Sequence, residues 1–220
     1  VFPNGAFIES ATYTLAFMNW WVPYFVMLRQ CRVRDYFLDE RFQRLCRGLC
    51  RVQGPYDKRI RRHSFTVMGD AMYPSGGANT LAWVANFARA DRPFSAMLMG
   101  AWQRSGCQLN NPGQQGMSMY DALFIDPDLP ARPLRRLPSE HVQGYGLILR
   151  HAHGSRKEVY LFIKCGKIYS HFHYDEGAFF VFADQVPILD EYGIQYGTAT
   201  NEKGEKVPGF MPGLHNAISF

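Results

Sequence analysis

Residues 170–183 read Ser170-His171-Phe172-His173-Tyr174-Asp175-Glu176-Gly177-Ala178-Phe179-Phe180-Val181-Phe182-Ala183. On a β-strand, side chains two apart share a face. A strand over 167–173 therefore projects His171 and His173 together, and Tyr169 and Asp175 join them if the strand continues. Two imidazoles on one face are costly to bury without partners. They bind a metal, line a wet cleft or face solvent. Glu176-Gly177 marks a turn, and Ala178 to Ala183 begins the next apolar strand.

The same period of two extends in both directions. Before this stretch come Gly146 to Arg150 and Glu158 to Lys164, and after it Val186 to Leu189. Short strands with Gly or Asp turns and no helical pattern between them predict an antiparallel sheet. Further upstream, Asp126-Pro127-Asp128-Leu129-Pro130 through Pro133 and Pro138 forms a proline-rich connector. Ahead of it the period becomes helical, and the first 125 or so residues read as helices. The predicted helices are Thr12–Gln30, Asp35–Val52, Asn79–Arg89, Pro93–Arg104 and Ser118–Ile125, with Gly54-Pro55 ending the second. The layout is α+β and multidomain: a helical module over 1–127, a linker over 128–142, and the opening of an antiparallel β-sandwich over 143–220. No internal repeat or low-complexity tract interrupts it.

Composition narrows the function classes. The chain has 220 residues, 47% of them hydrophobic and 20% charged, which excludes a disordered or acidic-tail protein. Its most apolar window, Leu15 to Leu28, contains Asn19 and Pro23 and is shorter than the ~20 residues of a membrane span. The formal net charge of +5 favours an anionic partner. Nucleic-acid binding would interleave aromatics with Lys and Arg on one surface, and only scattered pairs occur. The five cysteines are odd in number, widely spread and without a CxxC. They predict small buried or half-buried thiols rather than a disulfide scaffold or thiolate metal site. The chain starts without Met and stops within an alternating run, so an internal piece of a longer protein is expected, and a missing leader says nothing about compartment.

Beyond the HxH pair, Asp190 ends the strand that follows and His215-Asn216 comes after Pro212-Gly213. Two His and one Asp suit Zn²⁺ and leave a fourth position for water. A cupin-like reading would use Gly166, His171, His173, Glu176 and His215, but its spacings fail, since Glu176 follows His173 too soon and Ala183 stands where a glycine belongs. Tyr13, in Gly5-Ala6-Phe7-Ile8-Glu9-Ser10-Ala11-Thr12-Tyr13, reads alone as an ordinary amphipathic helix residue. The basic run Lys58-Arg59-Ile60-Arg61-Arg62-His63 reads as a solvated helix face or loop that can also help hold an anionic chain. His63, His141, His151 and His153 receive no role, although His151 and His153 form a second HxH at a strand-to-turn edge.

Taken together, these segments resemble the heparinase II/III-like polysaccharide lyases. Pro3-Asn4-Gly5-Ala6-Phe7 with Glu9 and Tyr13 is similar to that family's DGxxxE…Y helix. Gly69-Asp70 and Tyr120-Asp121-Ala122-Leu123 follow in the order of later motifs. The most specific stretch runs from Gly144-Tyr145-Gly146 through 170–179, with Pro187-Ile188-Leu189-Asp190-Glu191-Tyr192-Gly193 and His215-Asn216 after it. Phe172, Ala178 and Glu191-Tyr192-Gly193 depart from the family pattern, which touches subsite detail more than reaction class.

The resemblance implies the C-terminal part of an α/α toroid followed by the start of an antiparallel β-sandwich. It implies β-elimination on a uronate-containing acidic polysaccharide such as a glycosaminoglycan or alginate. His171 is then the catalytic sandwich histidine and Tyr13 the toroid tyrosine. His173, Asp190 and His215 are the ligands of a structural Zn²⁺. Glu9 from the motif, with Arg61 and Arg62 from the basic run by their charge, are the expected substrate contacts, and the group that neutralises the uronate carboxylate is expected upstream of Val1. The implied location is periplasmic or secreted, with no nucleic-acid partner, and pairing into a homodimer stays open. The alternative is a non-catalytic carbohydrate-binding module or a cupin-like metal-binding protein.

Overall fold

A computed structural model describes residues 5, 10–66, 73–109, 118–166, 176–189, 198–200 and 203–208 of the chain. Helix α1 spans Ala11–Gln30. It starts where Ser10 Oγ accepts the Tyr13 N–H at 3.2 Å, satisfying an orphan donor of the first turn, and Thr14 Oγ1 donates to the Ser10 carbonyl at 2.8 Å. Leu15, Met18, Val22 and Val26 form its buried stripe at helical spacing. A 3₁₀ turn at Tyr36–Leu38 leads into α2, Glu40–Val52. Asp39 caps α2 by accepting from the N–H groups of Arg41 and Phe42. Phe25 meets Phe42 edge-on with centroids 5.1 Å apart, and Phe37 stacks on Phe87 at 5.2 Å, locking the first helices together.

Directly after α2 the chain departs from the all-helical expectation. Strands β1 (Gln53–Asp57) and β2 (Arg62–Phe65) form an antiparallel hairpin with an irregular register between Gln53 and Tyr56. Gly54-Pro55 does not merely end α2, which stops at Val52; it lies within β1. Strands this short, one containing proline and both flanked by charge, carry too few alternations to register as a period of two. The run 58–63 is thus a hairpin turn and the start of a strand, not a helix face. The hairpin is held from the helical side by Gln53 Nε2, which donates to the Ala101 carbonyl and to Ser105 Oγ at 3.0 and 2.8 Å.

Helices α3 (Asn79–Phe87), α4 (Arg92–Arg104) and α5 (Ser118–Phe124) complete the helical part, close to the predicted bounds. Asp91 caps α4 through the Phe94 N–H. The proline-rich connector lies against α4. Its Arg132 N–H donates to the Ala96 carbonyl at 2.7 Å, and a Cβ at Gly100 would overlap the Pro133 backbone.

The sheet is an antiparallel meander of five strands in sequence order: β3 (Glu140–Val142), β4 (Gly146–His151), β5 (Val159–Lys164), β6 (Phe179–Ala183) and β7 (Val186–Leu189). Strand β3 falls inside the stretch read as linker. Ile148 pairs with Phe162, and Phe162 with Phe180. With Tyr160 and Phe182 these residues form a fully buried face. Two residues at positive φ, Asp184 and Gln185, turn β6 into β7. Strands β8 (Thr198–Thr200) and β9 (Lys206–Pro208) form a separate antiparallel pair.

Helical part and sheet share one apolar core. Tyr73 packs on Phe180 at 5.7 Å, and Arg150 Nη2 donates to the Arg51 carbonyl at 2.6 Å. Only part of the cysteine expectation holds. Cys46 and Cys50 are buried, but Cys31, Cys107 and Cys165 are exposed, and all five are free. Among the described residues no helix is long and apolar enough to cross a membrane.

Candidate functional site

Of the residues singled out from the sequence, Tyr13, Arg61 and Arg62 are described. Glu9, His171, His173, Asp190 and His215 lie outside the described residues, as does the predicted strand over 167–173. Tyr13 sits half-buried in the first turn of α1, its ring 6.4 Å from that of Phe17. Arg61 is exposed in the β1–β2 turn at φ 54°. Arg62 opens β2, and its guanidinium lies against the side-chain amide of Gln108, whose oxygen accepts from it.

The ends of the segment 167–175 are brought together. Gly177 N–H donates to the Lys164 carbonyl and Lys164 N–H to the Ala178 carbonyl. Glu176 reinforces this junction, accepting from the Gly166 N–H at 3.2 Å and pairing with the buried Lys164 ammonium at 3.4 Å. The Glu176 carboxylate therefore braces the strand ends, contrary to the metal-ligand role of a cupin-like reading. Among the described residues no group of three or more His, Cys, Asp or Glu side chains could hold a metal ion.

At the other end of the sheet lies a cleft of about 820 Å³. Five stretches converge on it, one of them the β6–β7 turn through Gln185. The β1–β2 hairpin contributes Tyr56, Lys58 and His63, and the end of α4 contributes Arg104. The connector supplies Pro133 to Arg136, and the β4–β5 turn supplies 153–156 and Glu158. The hairpin tip is tied down by Lys58, whose N–H donates to the Gln185 carbonyl at 2.9 Å and whose ammonium stands 3.2 Å from Asp184. Tyr13 does not line this cleft.

Its electrostatics are one-sided. Among the described residues, Lys58, Arg104, Arg135, Arg136 and Arg156 line it against the single carboxylate of Glu158. Burial raises the Glu158 carboxyl above its ordinary range, although it accepts the Gly154 N–H at 2.9 Å. Burial, and then the positive charge of Arg104, push His63 down to about 4. His153 is held at about 4 as well, by burial first and then by Arg104 and Arg150. Its Nδ1 accepts the Leu137 N–H at 3.2 Å, which places the ring proton on Nε2. Both rings are neutral at pH 7, so the positive field comes from arginine and lysine. The sequence pattern alone gives His63, His153 and Arg104 no role. The available signals were the second HxH, at 151 and 153, and the basic run that ends in His63.

The described architecture, helices followed by an antiparallel sheet on a common core, is similar in fold to a segment of solved heparinase III and heparan sulfate lyase structures. Two solved structures of a heparinase III gene product, one with methylated lysines, superpose with TM-scores of 0.55 and 0.52 at 14% and 15% identity. A mutant heparan sulfate lyase from Pedobacter heparinus superposes with a TM-score of 0.50 at 16% identity. Each likeness covers 92% of this chain, whereas the chain spans only 27–28% of those proteins. No protein-family model and no curated relative matches the sequence.

Proposed function

We propose that the protein is a polysaccharide lyase acting on an acidic, uronate-containing polysaccharide by β-elimination. The observation that carries this reading is a fold likeness to heparinase III and heparan sulfate lyase structures that runs through both helical part and sheet. It favours the lyase over the binding-module and cupin-like alternatives. The helices are then part of an α/α toroid, the strands the opening of a β-sandwich, and 128–142 the join. The exposed Trp20, Tyr24 and Met27 along α1 support the toroid reading, because such a surface is suited to packing against further helices.

The chemistry assigns roles to residue types already singled out. The C5–H bond breaks as a base takes the proton, its electron pair forms the C4=C5 double bond, and the C4–O bond breaks as an acid protonates the departing oxygen. His171 serves as the base and Tyr13 as the acid, roles that suit residue types whose free forms titrate near ~6.5 and ~10. The cationic surface matches the polyanionic substrate. Two imidazoles and a carboxylate are a suitable donor set for Zn²⁺, with His173, Asp190 and His215 holding an ion that braces the sandwich beside His171.

Absorbance in the ultraviolet band of an unsaturated uronate, followed while the protein meets heparan sulfate, other glycosaminoglycans and alginate, tests this reading. A rise with at least one polymer is expected, and no rise with any of them overturns it. Zinc content measured with and without His215→Ala tests the metal assignment, which fails if the two are equal.

A further inference from the structure

We infer that the cleft between the β1–β2 hairpin and the β4–β5 turn is a binding site for oxyanion groups of an acidic saccharide chain, held by Arg135, Arg136 and Arg156 at its rim. The choice of a saccharide over other polyanions rests on the lyase reading; the choice of an anion does not.

Three independent features support it. The three rim arginines are exposed, and no ion pair or side-chain hydrogen bond engages them among the described residues. Surface arginine ordinarily finds a carboxylate where one is near. Among the described lining residues the one acid, Glu158, is 5% exposed and turned to the Gly154 N–H. Guanidinium groups left facing one cavity are arranged for a planar oxyanion, which they grip in two-pronged fashion.

Topology supplies the second feature. Strands β4 and β5 pair from Gly146↔Lys164 to His151↔Val159. The cleft stands at the 151/159 end, while the segment carrying His171 and His173 leaves and re-enters the sheet at the 164/178 end. The two ends are separated by the length of a six-residue strand, roughly 20 Å. A saccharide chain several rings long, carrying an anionic group on most of them, spans that distance.

Shape is the third. At about 820 Å³ the cleft falls within the usual range for small-ligand sites and accommodates a short stretch of saccharide. Among the described lining residues Tyr56 is the one Phe, Tyr or Trp, and it packs edge-on against His63 at 5.7 Å. A single such ring is not the succession of platforms on which a nucleic-acid strand stacks its bases.

The experiment is calorimetric titration of the purified protein with heparin-derived oligosaccharides, which are sulfated, and with oligouronates, which carry carboxylates alone. Two variants are compared: Arg135→Gln/Arg136→Gln/Arg156→Gln, and a control of equal charge, Arg32→Gln/Arg41→Gln/Arg92→Gln, at exposed positions outside the cleft. The cleft variant is expected to bind about ten-fold or more weakly and to lose about two from the slope of log Kd against log salt, while the control stays within two-fold of wild type. Tighter binding of the sulfated or of the carboxylate series names the anion, and either supports the site. Equal loss in both variants, or no binding by the wild type, overturns it. Equal competition by a single-stranded oligonucleotide overturns the saccharide assignment. The single variant Arg156→Glu, at the exposed turn, repeats the test if the triple variant melts early. Failure here is distinguishable from failure of the lyase reading. A protein that cleaves uronate polymers yet binds unchanged in the cleft variant refutes the cleft alone; one that binds through the cleft without cleaving refutes the lyase alone.

Discussion

Arg104 Nη2 stands 3.0 Å from His63 Nδ1, and the same nitrogen lies 2.9 Å from the Gly54 carbonyl oxygen. A guanidinium only donates and a carbonyl only accepts, so Nδ1 serves one of them at a time. Beside a permanent cation, and buried, the ring stays neutral, which is why its value falls to about 4. His153 falls to about 4 in the same cluster.

Acid sensitivity follows. Both folded values lie below the ordinary ~6.5, so the unfolded chain takes up these protons first. The stability these rings contribute is whole above pH 6.5 and is lost as pH falls towards 4. The loss by pH 4 is about 3 kcal/mol from buried His63, and half-exposed His153, discounted for solvent screening, adds about 1 kcal/mol. Thermal melting between pH 7.5 and 4 should show this decline. A His63→Gln protein should show a shallower one; an identical slope refutes the assignment.

Tyr13→Phe separates chemistry from folding. The substitution removes one hydroxyl from a half-buried side chain and leaves the backbone bond to Ser10 Oγ in place. Loss of a general acid slows a reaction by about 10²–10⁴-fold. Cleavage should fall by that order while the melting temperature stays within a few degrees. A fully active Tyr13→Phe protein removes Tyr13 from the mechanism.

Much of this fold was legible because long elements repeat their signal. The α1 stripe Leu15, Met18, Val22, Val26 states its period several times, and β5 is an unbroken apolar run, Val159 to Ile163, bounded by turn residues. The β1–β2 hairpin offers neither signal, having four- and five-residue strands and a proline. The cleft was less legible still. It is assembled from Lys58, Arg104, Arg136 and Arg156, residues up to 98 positions apart, and no local pattern announces that a turn, a helix end and a connector will meet. Isolated arginines read as solvated surface until the fold collects them.

Gly100 tests the docking of the connector. Glycine to alanine inside a helix ordinarily gains up to about 1 kcal/mol. On α4 the new Cβ would overlap the Pro133 backbone, and backbone cannot swing aside as a side-chain tip can. Gly100→Ala should therefore destabilise, by about 2 kcal/mol as overpacking does, and should free the Arg132 N–H from the Ala96 carbonyl. Denaturant melting and amide exchange at Arg132 check both. A stabilised variant would mean that the connector is not seated on α4.

Asp121 belongs to a family-like motif in the sequence, Tyr120-Asp121-Ala122-Leu123, yet its surroundings make it structural. Its Oδ1 accepts from Asn79 Nδ2 and from Trp83 Nε1, each at 2.8 Å, and the residue is 6% exposed. Removing the carboxylate strands two buried donors on α3, and each costs about 1–3 kcal/mol. Asp121→Ala should lose about 3 kcal/mol, lowering the melting temperature by roughly 6–12 °C for a chain of this size. Asp121→Asn keeps an acceptor and should lose less than half of that. Because Asp121 holds α5 against α3 and lines no part of the cationic cleft, saccharide affinity measured below the melting transition should be unchanged in both variants. A variant that keeps its stability but binds saccharide more weakly would move Asp121 from the scaffold to the site.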